Sequence, residues 1–192
     1  MREIDSFNDK IRSGREVRIF NEWKKLDGNY ANNNEISFII RKRNPNGIPI
    51  AYDIIFSIPS ITGVEPPDEK GFRKPIFGNK HVLRITLPNN YPSVEGGHPE
   101  FKFTTDVWHP NIRYFGDDFI KGKVCLNFED SGVETSLTDY IERIADYLRY
   151  VDYHAKNEYP YPEDQNVAEW VLEQAEPQGW LNFYKSDNDY MF

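Results

Sequence analysis

One cysteine carries the most distinctive chemistry in this chain. Cys125 is the single cysteine among 192 residues, so it has no partner for an internal disulfide or for a multi-thiolate metal site. A lone thiol is either an inert buried side chain or a nucleophile, and composition by itself favours the inert interpretation. The residues around Cys125 must therefore decide between the two.

The tripeptide His109-Pro110-Asn111 precedes Cys125 within a stretch, residues 106–134, that has few periodic apolar positions and many turn residues. Long irregular segments of this kind are typical of functional loops. A thiol can carry an activated acyl group as a thioester, which stays reactive toward amines. The side-chain amide of Asn111 is a donor that could stabilise an oxyanion, or it could satisfy backbone groups of the loop.

A nucleophilic cysteine often works with a histidine base, so a Cys-His hydrolase is a rival function. His109 is a candidate for that base by residue type. The remaining histidines are further candidates: His81, His98 and His154.

Four strands are predicted in the middle of the chain. Residues 36–43 and 50–58 are rich in β-branched and aromatic side chains, and the turn Asn44-Pro45-Asn46-Gly47 between them indicates an antiparallel hairpin. Residues 80–87 and 100–104 are two further strands. Together they predict a four-stranded antiparallel meander.

Helices are predicted on both sides of these strands. Residues 6–26 carry apolar side chains at helical spacing after a possible cap at Ser6. A second helix starts at the capping pair Ser136 and Asp139, and its apolar stripe is Leu137, Ile141, Ile144, Leu148 and Val151. A third begins after the proline-rich segment 159–162 and is closed by Pro177. This pattern predicts an α+β fold with helices packed on one face of the sheet.

Several segments in this order resemble ubiquitin-conjugating enzymes. They are Tyr91-Pro92, the strand 101–105, His109-Pro110-Asn111 and Gly122-Lys123-Val124-Cys125-Leu126, and the resemblance covers roughly residues 6–176. It implies a UBC-like fold, and a transferase in which Cys125 accepts ubiquitin or a ubiquitin-like protein as a thioester from an activating enzyme. The acyl group then passes to a lysine or another amine of a protein acceptor.

The resemblance also implies roles for individual residues. His109 and Pro110 order the loop, Asn111 stabilises the oxyanion, and Asp164 orients the attacking lysine. An acidic helix start needing no catalysis explains Asp164 equally well. The family pattern requires no metal and no bound cofactor, because ATP is used only by the upstream activating enzyme.

The chain also departs from the family pattern. The loop between Asn111 and Cys125 is longer than usual, Asn127 stands where the family often has Asp, and residues 132–136 replace the familiar Trp-Ser-Pro. The final helix is absent or rebuilt from residues 180–184. These differences indicate a divergent member, compatible with a bacterial or other non-standard modification system, and they keep open a catalytically silent UBC-like binding module.

Composition limits the remaining possibilities. The net charge is -8, which disfavours nucleic-acid binding, and no apolar stretch or leader segment indicates a membrane, so we expect a cytoplasmic protein. One domain is predicted over residues 1–192, with a short divergent segment from about 177. The first helix is locally basic. The resemblance implies docking of the activating enzyme through Lys10, Arg12, Arg15 and Arg18, and a solvated helix face explains the same run equally well.

Overall fold

The computed structural model describes residues 4, 13–93, 97–126 and 135–184. Its helices and strands, in chain order, are α1 (Gly14–Tyr30), β1 (Ile36–Arg43), β2 (Pro49–Phe56), β3 (Ser60–Val64), β4 (Pro75–Gly78), β5 (His81–Thr86), β6 (Glu100–Phe103), α2 (Leu137–Leu148), α3 (Gln165–Trp170), a π-helical turn (Val171–Ala175) and α4 (Glu176–Gln178). The predicted α+β fold is confirmed.

The main sheet is antiparallel with the strand order β1-β2-β5-β6, as predicted. Alternation along the strands places Tyr52, Ile54, Leu83 and Ile85 in the core, where they meet α1 and α2. On the opposite face Asp53 is 2% exposed, because Arg41 and Arg84 both bind its carboxylate. The sheet is thus apolar on the helix side and charged on the other.

The small two-stranded sheet of β3 and β4 was not predicted. Both strands are short, and each contains a glycine, so neither shows a clear alternation in the sequence. Gly78 lies so close to Thr62 that an added Cβ would come within 2.7 Å of its methyl group. Tertiary contact across the pair therefore specifies these strands more than local preference does.

Within the described residues, the first helix begins at Gly14, which is later than predicted. Ser13 caps it by accepting from the Glu16 N–H at 3.2 Å, and the helix continues to Tyr30 rather than ending at Leu26. The predicted start at Ser6 lies outside the described residues. The buried Glu22 of this helix binds the Tyr91 hydroxyl at 3.0 Å and the Leu137 N–H at 2.8 Å, so α1 is tied to the start of α2.

The second helix has the predicted capping box, with the Ser136 N–H donating to Asp139 at 2.7 Å. Its end was predicted wrongly. Tyr150 adopts a left-handed backbone with φ 56°, which turns the chain out of the helix and buries the tyrosine ring. Val151, which was predicted on the apolar stripe, is consequently 67% exposed.

The third helix starts at Asp164, whose carboxylate is only 1% exposed. One oxygen caps the helix by accepting from the Val167 N–H at 3.3 Å. The other accepts from the backbone N–H groups of Tyr114 and Phe115 at 2.8 and 3.0 Å. One side chain therefore fastens the long loop to the start of α3.

The C-terminal segments differ from the prediction in detail. Pro177 lies within the short helix α4 instead of closing α3, and residues 180–184 form turns rather than a rebuilt helix. A second apolar cluster joins Trp108 of the long loop to Val167, Trp170 and Val171. None of the described helices combines the length and apolar character needed to cross a membrane. The single-domain assignment over residues 1–192 stays a prediction.

His109 is fully buried between α2 and its C-terminal turn. Its ring stacks on Tyr147 with centroids 5.0 Å apart and meets Tyr150 edge-on at 4.8 Å. Burial lowers the pKa of His109 to about 3, against a smaller opposing contribution from the backbone of Asp152. The imidazole is therefore neutral throughout the physiological range.

We predict that Asp164→Ala lowers the free energy of unfolding by about 2–4 kcal/mol, because three backbone N–H groups lose their buried acceptor. Urea unfolding followed by circular dichroism measures the change. The matched control is Glu163→Gln, since this neighbouring carboxylate is 25% exposed in a single ion pair with Arg113. Its loss should cost about 1 kcal/mol or less. Equal destabilisation by both variants would contradict the anchoring role.

Because His109 is buried as a neutral ring, we also predict that the free energy of unfolding depends on pH. A histidine in an unfolded chain titrates at about pH 6.5. Between about pH 6.5 and about pH 3 the unfolded chain therefore binds a proton that the folded chain does not bind. Stability contributed by the neutral ring is complete above about pH 6.5 and falls below it, by up to about 1.4 kcal/mol per pH unit. His109→Gln should be less stable near neutrality yet show a shallower acid slope in urea unfolding between about pH 7.5 and 5.5. Parallel slopes for the two proteins would refute this.

Candidate active site

The segment carrying Cys125 is held against β6 by a glycine. Gly122 has φ 85°, and an added Cβ would lie 2.1 Å from the carbonyl oxygen of Phe103. Only a residue without a side chain allows this approach, through which the Phe103 N–H reaches the Gly122 carbonyl at 2.8 Å. Three residues further on, the Cys125 N–H donates to the Asn111 carbonyl at 2.8 Å.

Cys125 and Asn111 line one cleft of about 320 Å³. We call this space the Cys125 cleft. Its walls come from three segments, which are the long loop, helix α2, and the connection between α2 and α3. The lining residues are Asn111, Cys125, Arg143, Tyr147, Asp152, Tyr153, His154, Pro160 and Tyr161.

The orientation of the Asn111 side chain follows from its contacts. Its Oδ1 lies 2.9 Å from the backbone N–H of His154, which can only donate. Oδ1 must therefore face that group, and Nδ2 with its two hydrogens occupies the other end of the amide. The Asn111 N–H in turn donates to His109 Nδ1 at 3.1 Å. The backbone N–H, the backbone carbonyl and Oδ1 of Asn111 all hold the loop, and Nδ2 donates to none of the described residues.

Cys125 is partly buried in this cleft. Burial raises the pKa of the Cys125 thiol, the carboxylate of Glu163 raises it further, and the Arg143 guanidinium opposes both. The thiol is therefore protonated at neutral pH. A nucleophilic attack by Cys125 must include the removal of this proton.

His109 does not line the cleft. Its Nδ1 accepts from the Asn111 N–H, so the neutral ring carries its proton on Nε2, and the ring is sealed between Tyr147 and Tyr150. Pro110 contributes its carbonyl to the Asp164 N–H at 3.0 Å. Both residues thus connect the loop to neighbouring segments. Among the residues that the structure describes, no group of three or more His, Cys, Asp or Glu could hold a metal ion.

Of the three residues predicted to be catalytic, Asp164 is the one that does not line the Cys125 cleft. Its carboxylate is buried and already accepts from three backbone N–H groups. An incoming amine would have to displace these donors and open the start of α3. The cleft contains a different carboxylate, that of Asp152, which is half exposed and lies 3.4 Å from Arg143.

The basic residues of α1 are partly used inside the protein. Arg15 donates to the Pro88 carbonyl at 2.9 Å, and Arg18 binds both Glu22 at 2.7 Å and the Thr135 carbonyl at 2.8 Å. Both residues therefore also have contacts inside the protein, and their role in docking stays a prediction. Lys10 and Arg12 lie outside the described residues.

Three residues that line the cleft were not predicted as site residues, namely Arg143, Tyr147 and Asp152. Arg143 and Tyr147 are four positions apart on α2, so they share one face of the helix beside its buried stripe. That spacing was available in the sequence, but nothing in the pattern says which face meets the cysteine. Asp152 follows the left-handed turn at Tyr150, which the sequence did not predict.

Comparisons with known proteins give local sequence matches. Over 71 residues the chain is 35% identical to ubiquitin-conjugating enzyme E2 7 of Arabidopsis thaliana, covering 35% of this chain and 32% of that protein. Over 62 residues it is 37% identical to ubiquitin-conjugating enzyme E2-22 kDa of Drosophila melanogaster, covering 32% of this chain and 25% of that protein. The matched segment therefore spans about a third or less of these relatives.

No family model matches the chain. The solved structure of human ubiquitin-conjugating enzyme E2 G1 aligns with a TM-score of 0.47 at 18% identity, over 72% of this chain and 97% of that chain. The sequence matches agree with the order of the motifs around Cys125 and with the α+β architecture described above. Over these segments the chain is similar to ubiquitin-conjugating enzymes.

Proposed function

We propose that the protein is a ubiquitin-conjugating-type transferase that carries a ubiquitin or ubiquitin-like protein as a thioester on Cys125. The observation that carries this proposal is the Cys125 cleft, which Cys125 and Asn111 line together while the His154 N–H holds Asn111 Oδ1. A thioester carbonyl formed on Cys125 would develop its oxyanion next to that donor. The protein needs no bound cofactor for this reaction, since ATP is consumed by the activating enzyme.

The proposed reaction has two acyl transfers. Cys125 Sγ attacks the thioester of the activating enzyme, a new C–S bond forms, and the enzyme's thiol leaves. An acceptor amine then attacks the Cys125 thioester, the C–N bond forms, and Cys125 Sγ leaves as a thiol after gaining a proton. Both steps pass through a tetrahedral intermediate whose negative oxygen Asn111 Nδ2 would stabilise.

The contacts that hold Asn111 and its loop support a fixed geometry for this chemistry. Asn111 is held by the Cys125 N–H, the His154 N–H and His109 Nδ1, so its amide has little freedom to rotate. Asp164 holds the same loop a few residues further on. In this proposal His109, Pro110 and Asp164 are positioning residues, and Cys125 and Asn111 act on the acyl group.

A silent binding module is the second candidate function, and the raised pKa of Cys125 favours it, because a protonated thiol is a poor nucleophile. The two candidates differ in one outcome. A binding module would retain ubiquitin-like proteins or an activating enzyme in a pull-down without forming a covalent adduct.

We predict that incubation with activating enzyme, ATP and a panel of ubiquitin-like proteins gives an adduct that a thiol reductant cleaves. Cys125→Ala should give none. Cys125→Ser should give a slower adduct that resists thiols, because an oxygen ester does not exchange with them. Non-reducing and reducing gels measure all three.

The same samples separate the two candidates. Binding without any Cys125-dependent adduct, for a ubiquitin-like protein that the activating enzyme itself accepts, would contradict transfer and favour the binding module. Unfolding curves of the Cys125 variants provide the control that the fold is intact.

We predict that Asn111→Asp slows single-turnover discharge of the thioester to lysine by about 10²–10³-fold. This variant keeps an acceptor for the His154 N–H, so it retains the loop contact while it removes both donor hydrogens. Asn111→Ala removes the contact and the donors together. Quenched time courses on gels give the rates. Wild-type discharge by Asn111→Asp, together with slow discharge by Asn111→Ala, would assign Asn111 a purely structural role.

A further inference from the structure

His154 is one of the residues that line the Cys125 cleft. It is the one histidine among the lining residues, and its own backbone N–H holds Asn111 Oδ1 at 2.9 Å. Asn111 therefore connects the two residues, because its carbonyl accepts from the Cys125 N–H and its Oδ1 accepts from the His154 N–H. His109, the histidine of the sequence motif, is buried outside this space.

The contacts of the ring determine which nitrogen can take up a proton. Nε2 lies 3.1 Å from the Glu158 carbonyl, and a carbonyl oxygen can only accept. The hydrogen of the neutral ring therefore resides on Nε2. Nδ1 then carries the lone pair, and none of the described residues forms a hydrogen bond with it.

The chemistry of Cys125 requires a proton carrier. The thiol holds its proton at neutral pH and must lose it before attack. In the second transfer the sulfur must regain a proton as it leaves, while the attacking amine must lose one. An imidazole is the side chain best suited to accept and return a proton near neutral pH.

We propose that His154 Nδ1 carries protons between Cys125 Sγ and the attacking amine, an inference that rests on the proposed transferase function. During loading, the Cys125 proton moves to Nδ1 as the S–C bond forms, and the departing thiolate of the activating enzyme then receives it. During discharge, the amine proton moves to Nδ1 as the C–N bond forms. The imidazolium then protonates Cys125 Sγ as the C–S bond breaks, so the products are an amide and a thiol.

Several other ionisable groups lie in or near the cleft and provide the controls. Asp152 and Arg143 form an ion pair in the same cleft, and the phenols of Tyr147, Tyr153 and Tyr161 line it. Glu158 meets the ring through its backbone carbonyl, and Glu163 acts on Cys125 from the side of α3. Asp152 is the other group in the cleft that could accept a proton from an amine.

The first experiment compares His154→Gln with Asp152→Asn in single-turnover discharge of the thioester to lysine. Both variants leave the His154 backbone N–H in place, so the contact to Asn111 persists. We expect His154→Gln to slow discharge by about 10²-fold and to change the shape of the pH–rate profile, because it removes the proton carrier. Added imidazole should restore part of the rate to His154→Ala.

Two results would overturn the inference while leaving the transferase function intact. One is discharge by His154→Gln at the wild-type rate with the wild-type pH profile. The other is loss of discharge in Asp152→Asn with His154→Gln unaffected, which would assign the proton to the carboxylate.

The second experiment needs no ubiquitin-like protein. Iodoacetamide modifies Cys125 alone, since the chain has a single cysteine, and mass spectrometry follows the rate. We expect His154→Gln to alter how the modification rate depends on pH, because it removes the group that exchanges a proton with the thiol. If no thioester ever forms, the transferase function fails, and this profile still decides whether His154 and Cys125 exchange a proton. Superimposable profiles would refute the coupling.

Discussion

The carboxylate of Asp164 holds together the two parts of the chain that enclose the Cys125 cleft. The long loop forms neither a helix nor a strand around Asn111, so its backbone N–H groups need acceptors elsewhere. Asp164 supplies them to Tyr114 and Phe115 while it caps α3, and the Asp164 N–H itself donates to Pro110. A loop anchored at both sides of Asn111 can keep the amide in one orientation, which a freely moving loop cannot.

The electrostatics of the cleft follow from this enclosure. A partly buried thiol beside Glu163 keeps its proton, and the Arg143 guanidinium compensates only in part because Asp152 is paired with it. Such a thiol is protected from indiscriminate reaction with small electrophiles at neutral pH. Reactivity then depends on removal of this proton, which the proposed acyl transfer requires of a group in the cleft.

Local physics made much of the fold predictable. The bounds of β1 agree with the structure, because β-branched residues alternate up to a strong turn, and the start of α2 agrees because its capping box is encoded by Ser136 and Asp139. Prediction failed where tertiary contact overrides local preference. The strands β3 and β4 exist through their pairing, and α2 ends early because Tyr150 buries its ring through a left-handed turn.

By itself the sequence determined which residues are candidates for chemistry, since a single cysteine after His109-Pro110-Asn111 singles out one thiol and one amide without coordinates. Only the tertiary structure decided what surrounds them. Asp164 looked like a group for the acceptor amine, but its backbone donors lie 49 and 50 positions away along the chain and cannot be inferred from spacing. The same folding places Asp152 and His154 in the cleft, because contacts between distant segments depend on how the loop packs against α2 and α3, which no local pattern encodes.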